Sequence, residues 1–394
     1  MPQHIVLVSL DALRADRLHC YGNPREVSKN VDALVPDSVV FRNATSPVTW
    51  TLPGHMCMLS GLEPPVHGCV SARHRYPPES LPFPLIFELV EQAGYKVRAI
   101  TGGGYMEPSA GFGRGAEDFH VVFPVKEGLD RALEHIQGNE QTFTFFHTYA
   151  VHDYPRIERR PNALALARQR DPDYSGCFPT DRDFHSLVTA MAASPDTPPA
   201  TARDVAYLRD LYDSAIISAD MALGSFFRGL KELGVWDETV LIVTSDHGES
   251  LGDSHESHQY WSHAGPPYQE QLVVPLIIRP SQDLESTLEP AEIEEPVSLV
   301  DLTPTILDLL GLPYQRDQFD GTSLLDLCLG QVAAFETRSM FFHSCEDTED
   351  RYLEPRLFGT ALRWRTNGKM LFDHRTGALR EFYWLDRDAC EQRN

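Results

Sequence analysis

The 394-residue sequence predicts an α/β fold: a doubly wound, mostly parallel sheet followed by a small antiparallel sheet. Short continuous apolar runs alternate with segments of helical periodicity, which is the pattern of strand–helix–strand units. Near the C-terminus, two glycine-containing turns separate short alternating runs, a pattern typical of hairpins. We therefore expect a main domain over residues 1–335 and a small C-terminal β subdomain over residues 336–394.

The first half of the chain contains three predicted strands. The apolar run at residues 5–10 predicts a strand buried on both faces. Residues 83–93 predict a helix closed by Gly94, and residues 96–101 predict the strand that follows it. A further buried strand is predicted at residues 142–149, "TFTFFHTY".

The second half continues the alternation. Apolar residues at steps of three and four predict a long amphipathic helix over residues 205–233. Strands are predicted at residues 239–244 and 275–278, followed by a helix capped by Thr303 with Pro304 at its first position.

Residues 156–204 are rich in Pro, Arg, Asp and Ala and show no clear periodicity. We interpret them as an insertion that covers the substrate. The turns that define the C-terminal sheet are Asn367-Gly368 and Thr376-Gly377.

The composition of the chain indicates which binding partners and which cellular compartment to expect. The net charge is −23, which argues against nucleic acid or an anionic membrane as partner, because no basic stripe is present to neutralise phosphates. Seven cysteines without a CxxC pair are typical of reduced thiols. The N-terminal apolar run is short and lacks a preceding basic region. We expect a cytoplasmic protein.

Acidic residues follow two of the predicted buried strands. Asp11 comes directly after residues 5–10, and Asp246 with His247 follows residues 239–244. Ligands bind beyond the carboxyl ends of parallel strands, so these side chains are expected at one edge of the sheet. Helix capping would explain either aspartate alone. Both together, with an imidazole beside one, favour a metal site.

Thr51 precedes Pro53 in "TLPGHMCMLSG", at the start of a short predicted helix. Free backbone N–H groups and the positive end of the helix dipole favour an anion at this position. A hydroxyl deprotonated next to a cation can attack phosphorus or sulfur there. Considered alone, Thr51 is better explained as a simple helix cap.

These segments resemble the alkaline phosphatase superfamily, specifically its sulfatase branch, over nearly the whole chain. The resemblance is carried by motifs in the same order and spacing: "LVSLDALRADRLHCYG", "TLPGHMCMLSGLEPPVHG", "LIVTSDHGESLGD" and "VSLVDLTPTILDLLGLP". It implies that Asp11, Asp246, His247 and Thr51 bind one divalent cation. It also places Thr51, ten residues before Gly61, at the position of the nucleophile.

The sequence departs from the sulfatase pattern at the nucleophile. Formylglycine formation needs Cys or Ser followed by x-Pro-x-Arg, whereas this chain has Thr51 and, at the Arg position, His55. Two lysines of the family are also absent: Tyr105 is the nearest polar residue to the first, and His263 replaces the second. Tyr105 and His55 are the predicted substrate-binding residues.

An unmodified threonine resembles the members of the superfamily that act on phosphorus. The resemblance implies a metal-dependent hydrolase of a small anionic phosphodiester, phosphonate or phosphate ester, with a phospho-threonine intermediate at Thr51. His152 and His263 are the predicted groups acting on substrate oxygens and the leaving group. The donor set suits Mn²⁺ or Zn²⁺, with Mg²⁺ as an alternative.

Four alternatives remain open at this level. A second metal would draw on His152, Asp153, His255, His258 or His263. The reaction is sulfuric-ester hydrolysis without formylglycine in one alternative, and transfer of the phosphoryl group to an acceptor alcohol in another. In the last, the protein binds metal without catalysis.

Overall fold

The computed structural model describes most of the chain and places a large mixed sheet at its centre. The described residues are 2–70, 80–156, 167–193, 200–255, 258–285, 288–332, 335, 339–344, 360–364, 368–373 and 376–394. The strands, in chain order β1 to β16, are His4–Leu10, Val39–Phe41, Ala44–Thr45, Lys96–Thr101, Asp118–Val121, Thr142–Thr148, Thr239–Thr244, Ser250–His255, His258–Ser262, Leu276–Arg279, Ala291–Ile293, Val297–Ser298, Ser339–His343, Thr360–Trp364, Gly368–Phe372 and Leu379–Trp384.

Eleven α-helices accompany these strands in the described part of the chain. In chain order, α1 to α11 are Lys29–Asp32, Thr51–Ser60, Pro64–His67, Ile86–Gln92, Val125–Gln137, His185–Ala193, Ala202–Glu232, Gln269–Leu272, Gln282–Glu285, Leu302–Leu309 and Leu325–Cys328. Within the described residues, no helix combines the length and the apolar character needed to span a membrane.

The large sheet has eight strands in the order β11-β2-β10-β7-β1-β6-β4-β5. Strand β1 is central and pairs in parallel with both β6 and β7. Strand β10 is antiparallel to its neighbours β2 and β7, so the sheet is mostly rather than wholly parallel. The predicted fold class is therefore confirmed.

Helices cover both faces of this sheet because its strands are apolar on both sides. In β1, Ile5 and Leu7 join a core that includes residues of α2, α4 and α10. The alternate residues Val6, Val8 and Leu10 join a second core that includes residues of α5 and α7. Successive side chains of a strand point to opposite faces, so one short apolar run supplies both cores.

Three predicted helix starts differ from the structure. Helix α4 begins at Ile86 rather than at residue 83. Helix α7 begins before residue 205, because the Thr201 hydroxyl and the Asp204 carboxylate form a capping box at its first turn. Helix α10 begins at Leu302, so Thr303 is not its cap. The Thr303 hydroxyl instead donates a hydrogen bond to the Met58 carbonyl, 2.9 Å away, and joins α10 to α2.

The C-terminal strands form the predicted small antiparallel sheet, in the order β13-β14-β15-β16. The Asn367-Gly368 turn falls largely outside the described residues, whereas the Thr376-Gly377 turn lies between β15 and β16. The core of this sheet includes Tyr268 and Leu272, which lie immediately before and within α8. The small sheet is therefore packed against the segment that leads into α8.

Candidate active site

The candidate site lies where β1 and its two parallel neighbours end. Asp11 follows β1, and Asp246 and His247 come shortly after β7. All three side chains are fully buried. The turn after Asp11 is tight, since Ala12 has a positive φ of 61° and its N–H donates to Asp246 Oδ1 at 3.2 Å. The predicted gathering of these residues at one edge is present in the structure.

Two carboxylate oxygens at this edge have no hydrogen-bond donor among the described residues: Asp11 Oδ1 and Asp246 Oδ2. His247 Nε2 lies 3.7 Å from the first and 3.4 Å from the second. Buried, unsatisfied carboxylate oxygens are costly unless a cation is present. Ligand atoms of Asp11, Asp246 and His247 all lie within 4.8 Å of one another. The donor set fits a divalent cation.

The backbone fixes the tautomer of His247. Its Nδ1 lies 2.7 Å from the Gly248 carbonyl, which only accepts, so Nδ1 carries the proton. The lone pair is then on Nε2, the atom next to both carboxylates. A histidine that donates one N–H to a carbonyl and presents the other nitrogen unprotonated is prepared for metal ligation.

Burial strongly disfavours charge on the two carboxylates without a cation. It raises the pKa of Asp11 to about 6, partly opposed by His152 and His263. It raises the pKa of Asp246 to about 7, and the nearby charge of Asp11 acts in the same direction. A bound cation would reverse this effect by favouring the deprotonated forms.

Thr51 is the first residue of α2, and Trp50 is the cap. The first helical hydrogen bond runs from Gly54 N–H to the Trp50 carbonyl at 3.2 Å, so the N–H groups of Thr51 and Leu52 have no acceptor within the helix. Thr51 Oγ1 lies 3.4 Å from His247 Nε2. The hydroxyl therefore lies at a helix N-terminus and beside the candidate metal ligands.

The close contact between α2 and the Asp246 loop requires a glycine at position 54. A Cβ added to Gly54 would lie 2.7 Å from the Asp246 backbone oxygen. Such a distance is too short for any side chain, so Gly54 allows the helix that carries Thr51 to approach the metal loop.

His55 lies beneath the site and is fully buried. Its Nδ1 is 2.9 Å from the Thr51 carbonyl and 3.3 Å from Asp246 Oδ2, and its Nε2 is 2.9 Å from the Ser9 hydroxyl. Both ring nitrogens are thus engaged by the protein. This placement favours support of Thr51 and Asp246 over the predicted contact with substrate.

Tyr105, the other predicted substrate-binding residue, lies near the start of α2. Its ring meets Trp50 edge-on, with centroids 5.3 Å apart. Its backbone N–H donates to the Tyr149 hydroxyl at 3.3 Å. The side chain is partly exposed, which is compatible with its predicted role.

His152 and His263 lie together beside the metal ligands. The two rings are 5.0 Å apart, and the His263 ring is 4.6 Å from that of His247. His263 Nδ1 is held by Glu249 Oε2 at 2.8 Å. Burial opposes charge on His152, but a hydrogen bond from its ring to Asp153 and the charges of Asp11 and Glu249 prevail and raise its pKa to about 9.

The insertion over residues 156–204 contributes one histidine to the cluster of imidazoles around His152 and His263. His185, the first residue of α6, has its ring centroid 5.7 Å from that of His152. Helix α6 is anchored through Val188 and Met191, which belong to the same core as Trp261 of β9. The described part of the insertion therefore reaches the candidate site, while residues 157–166 and 194–199 lie outside the described part.

The proposed second-metal residues are dispersed. His255 contacts Glu270 and the Glu391 carbonyl and stacks on Tyr268, in a separate buried cluster. Asp153 forms an ion pair with Arg156, in which Oδ1 of the aspartate lies 2.9 Å from Nε of the arginine. The His258 side chain falls outside the described residues. His152 and His263 are the members of this predicted set that the structure brings together at the site.

Sequence reasoning missed His147, Glu249 and His185. His147 lies at the end of β6 and contacts Asp11 Oδ2 at 3.0 Å. A polar residue at the carboxyl end of a predicted buried strand was a usable signal for His147. Glu249 lies within the quoted motif "LIVTSDHGESLGD" but was not singled out there, and His185 lies in the insertion without clear periodicity. Only the fold brings these two residues to His263 and His152.

Comparison with known proteins agrees with this geometry. The sulfatase family model matches residues 3–123 and 124–312. PehA of Trinickia caryophylli, a multifunctional alkaline phosphatase superfamily protein, is 38% identical over 123 residues, which are 31% of this chain and 22% of PehA. Human arylsulfatase A is 26% identical over 393 residues, or 89% of this chain and 72% of that protein.

The chain is also similar to a solved structure, the phosphonate monoester hydrolase of Agrobacterium radiobacter. The superposition has a TM-score of 0.67 at 18% identity and covers 100% of this chain and 91% of that one. At this identity, the likeness shows the fold alone. The family match includes the segments of Asp11, of Thr51 and of Asp246 and His247, and we conclude that this chain belongs to the sulfatase family.

Proposed function

We propose that the protein is a metal-dependent hydrolase of phosphate-type esters, with Thr51 as an unmodified nucleophile. The substrate is a small anionic phosphodiester, phosphonate or phosphate ester. The observation that carries this proposal is the position of Thr51. Its hydroxyl lies at the N-terminus of α2 and 3.4 Å from His247 Nε2, and threonine cannot be converted to the formylglycine of sulfatases.

The residues present fit a divalent cation, because two buried carboxylate oxygens lack donors among the described residues and His247 presents a lone pair. Asp11, Asp246, His247 and the Thr51 hydroxyl would hold it, and Mn²⁺ or Zn²⁺ suits these donors. When bound, the cation supplies Lewis-acid chemistry that lowers the pKa of a neighbouring hydroxyl and neutralises charge on the ester.

Thr51 performs the covalent step. Its Oγ1 loses a proton to solvent and attacks phosphorus, so that an oxygen–phosphorus bond forms as the bond to the leaving oxygen breaks. The N–H groups of Thr51 and Leu52, which have no acceptor within α2, stabilise the negative charge that develops on the ester at this helix terminus. Water then attacks phosphorus, the bond from phosphorus to Thr51 Oγ1 breaks, and the proton lost by the water restores the Thr51 hydroxyl.

His152 and His263 act on the other side of the ester. One of them donates a proton to the leaving oxygen, while Glu249 fixes the orientation of His263. His185 extends this imidazole group from the insertion and supplies a further hydrogen-bond donor for ester oxygens. An imidazole at His263, in place of one of the family's lysines, favours an ester with a single negative charge.

A second candidate is sulfuric-ester hydrolysis without formylglycine. It is favoured by the alignment with human arylsulfatase A, which spans 89% of this chain. The same site geometry would serve attack on sulfur. Transfer of the phosphoryl group to an alcohol would follow the same first step, with the alcohol replacing water.

The test is turnover of matched nitrophenyl phosphate, phosphodiester, phosphonate and sulfate esters by the purified protein, with Mn²⁺ or Zn²⁺ added. We expect a phosphorus ester to be preferred. Thr51→Ala should lower kcat by roughly 10³-fold or more, because the nucleophile is lost.

Two controls accompany this test. Thr51→Ser keeps a hydroxyl and should retain measurable turnover. Thr303→Ala removes a buried hydroxyl that contacts the same helix at the Met58 carbonyl and should leave kcat nearly unchanged. Dominant turnover of the sulfate ester would favour the second candidate, and a fully active Thr51→Ala protein would show that Thr51 is not the nucleophile.

A further inference from the structure

Two buried histidines contact the carboxylates of the candidate metal site. His147 Nε2 lies 3.0 Å from Asp11 Oδ2, and His55 Nδ1 lies 3.3 Å from Asp246 Oδ2. Their rings meet edge-on with centroids 4.8 Å apart. Ligand atoms of Asp11, His55 and His147 also lie within 4.8 Å of one another, so proximity alone is compatible with a second metal.

The hydrogen bonds of His147 argue against its acting as a ligand. The Gly102 backbone N–H donates to His147 Nδ1 at 3.2 Å, so Nδ1 carries the lone pair. The proton of the neutral ring is therefore on Nε2, which donates to Asp11 Oδ2. Neither nitrogen is left for a metal, because one accepts a backbone N–H and the other carries a proton.

The hydrogen bonds of His55 lead to the same result. Its Nδ1 is 2.9 Å from the Thr51 carbonyl, which only accepts, so Nδ1 carries the proton. Its Nε2 accepts from the Ser9 hydroxyl at 2.9 Å. The Nδ1–H group therefore donates to the Thr51 carbonyl and also lies 3.3 Å from Asp246 Oδ2, so the His55 ring packs between the backbone of Thr51 and the Asp246 carboxylate.

We propose that His147 and His55 are neutral positioning residues rather than metal ligands, and that the site binds one divalent cation per chain. His147 donates to Asp11, whereas His55 donates to the Thr51 carbonyl and packs against Asp246. This inference rests on the metal-dependent function proposed above. His147 occupies Asp11 Oδ2, which leaves Oδ1, the oxygen without a donor among the described residues, available to the cation. Such supporting partners orient ligands and raise metal affinity.

The test is metal binding measured by calorimetry and metal analysis, independently of turnover. The wild-type protein should bind one equivalent of Mn²⁺ or Co²⁺. His147→Leu should still bind one equivalent, with an affinity lower by roughly 10- to 100-fold. His147→Gln, which keeps an N–H donor near the position of Nε2, should recover much of that loss.

The visible spectrum of bound Co²⁺ separates positioning from ligation. The His147 variants should keep the wild-type bands, because the ligands are unchanged. His135→Leu is the matched control: His135 is a buried histidine of α5 that contacts the Lys96 carbonyl at 3.1 Å. Its loss should lower the melting temperature without changing the metal affinity.

Several results would overturn the proposal. Two equivalents in the wild-type protein, falling to one in His147→Leu or His147→Gln, would make His147 a ligand. If His147→Leu and His55→Leu each bind Mn²⁺ or Co²⁺ as tightly as the wild-type protein does, both histidines have a packing role only. A wild-type protein that binds no cation would contradict the proposal as well. By contrast, normal metal binding without turnover of any phosphorus ester would contradict the proposed function and leave this inference standing.

Discussion

At the scale of single residues, the site combines buried acids with histidines whose protons are fixed by backbone groups. Asp11 and Asp246 have raised pKa values because burial disfavours their charged forms. His247 is held in the tautomer that presents Nε2, and burial lowers its pKa well below the ordinary range. Neutral imidazole and paired carboxylates form a donor set that favours a cation over a proton.

The raised carboxyl pKa values predict how stability depends on pH without metal. Their folded-state values of about 6 and about 7 lie above the unfolded value near 4. Protonation of Asp11 and Asp246 therefore contributes stability below about pH 4, and this contribution is lost as the pH rises to about 7. A cation binds the deprotonated forms, so the melting-temperature increase on adding Mn²⁺ should be larger at pH 7.5 than at pH 5.

Calorimetric scans with and without Mn²⁺ at both pH values check this prediction. The Asp246→Asn protein serves as the control. In this variant, the Mn²⁺-induced increase in melting temperature should be nearly the same at pH 5 and at pH 7.5. An equal or larger stabilisation at pH 5 would contradict the account of the two carboxylates.

At the scale of elements, the function depends on how closely α2 approaches the loop after β7. The helix begins at Thr51, and Gly54 lies against the backbone oxygen of Asp246. Strands β1, β6 and β7 bring Asp11, His147 and the metal loop to one edge by their parallel pairing. The proposed nucleophile and the proposed metal ligands are thus aligned by backbone contacts.

Gly54→Ala tests this approach. The added Cβ would lie 2.7 Å from the Asp246 oxygen, so α2 or the loop must shift. We expect a loss of about 1–3 kcal/mol in the free energy of unfolding and a marked fall in Mn²⁺ affinity, measured by urea denaturation and calorimetry. Gly138→Ala is the control, because Gly138 lies at the end of α5 and a Cβ added there would be no closer than 3.3 Å to another atom. This variant should change neither the free energy of unfolding nor the Mn²⁺ affinity greatly. An unchanged metal affinity in Gly54→Ala would show that the close approach is unimportant.

At the scale of the whole molecule, the small C-terminal sheet supports the metal loop through α8. Lys369 of β15 is fully buried and pairs with Glu391 at 2.6 Å. Glu391 Oε2 accepts from Gln269 N–H, and the carbonyls of Glu270 and Gln271 accept from Glu249 and Gly248 N–H groups. A continuous set of hydrogen bonds therefore connects the C-terminal segment to the residues beside His247.

Lys369→Met should destabilise the protein strongly, because it leaves Glu391 buried and unpaired. We expect a loss of about 3–5 kcal/mol in the free energy of unfolding, measured by urea denaturation. The double variant Lys369→Met/Glu391→Gln should recover part of this loss, since no uncompensated charge remains. A Lys369→Met protein as stable as wild type would show that the buried pair does not hold the sheet to α8.

Much of this arrangement could be predicted from the sequence, because it depends on local patterns. Buried apolar runs located β1 and β7, and the strand-end rule then placed Asp11 and Asp246 at one edge. The strand-end rule could also have marked His147, but the contact of His147 with Asp11 and the approach of His185 to His152 could not be derived in this way. The first requires the register of β6 against β1, and the second requires the packing of α6 on β9, which are both long-range contacts.

The central claim is that Thr51 forms a covalent bond to phosphorus during turnover. The most direct test is to mix the Mn²⁺- or Zn²⁺-loaded protein with the preferred nitrophenyl ester labelled with radiophosphorus, quench with acid within one turnover, and map the label by peptide mass spectrometry. We predict label on Thr51 and none in Thr51→Ala. Turnover of the ester with no label at Thr51, or with label on another residue, would contradict the account.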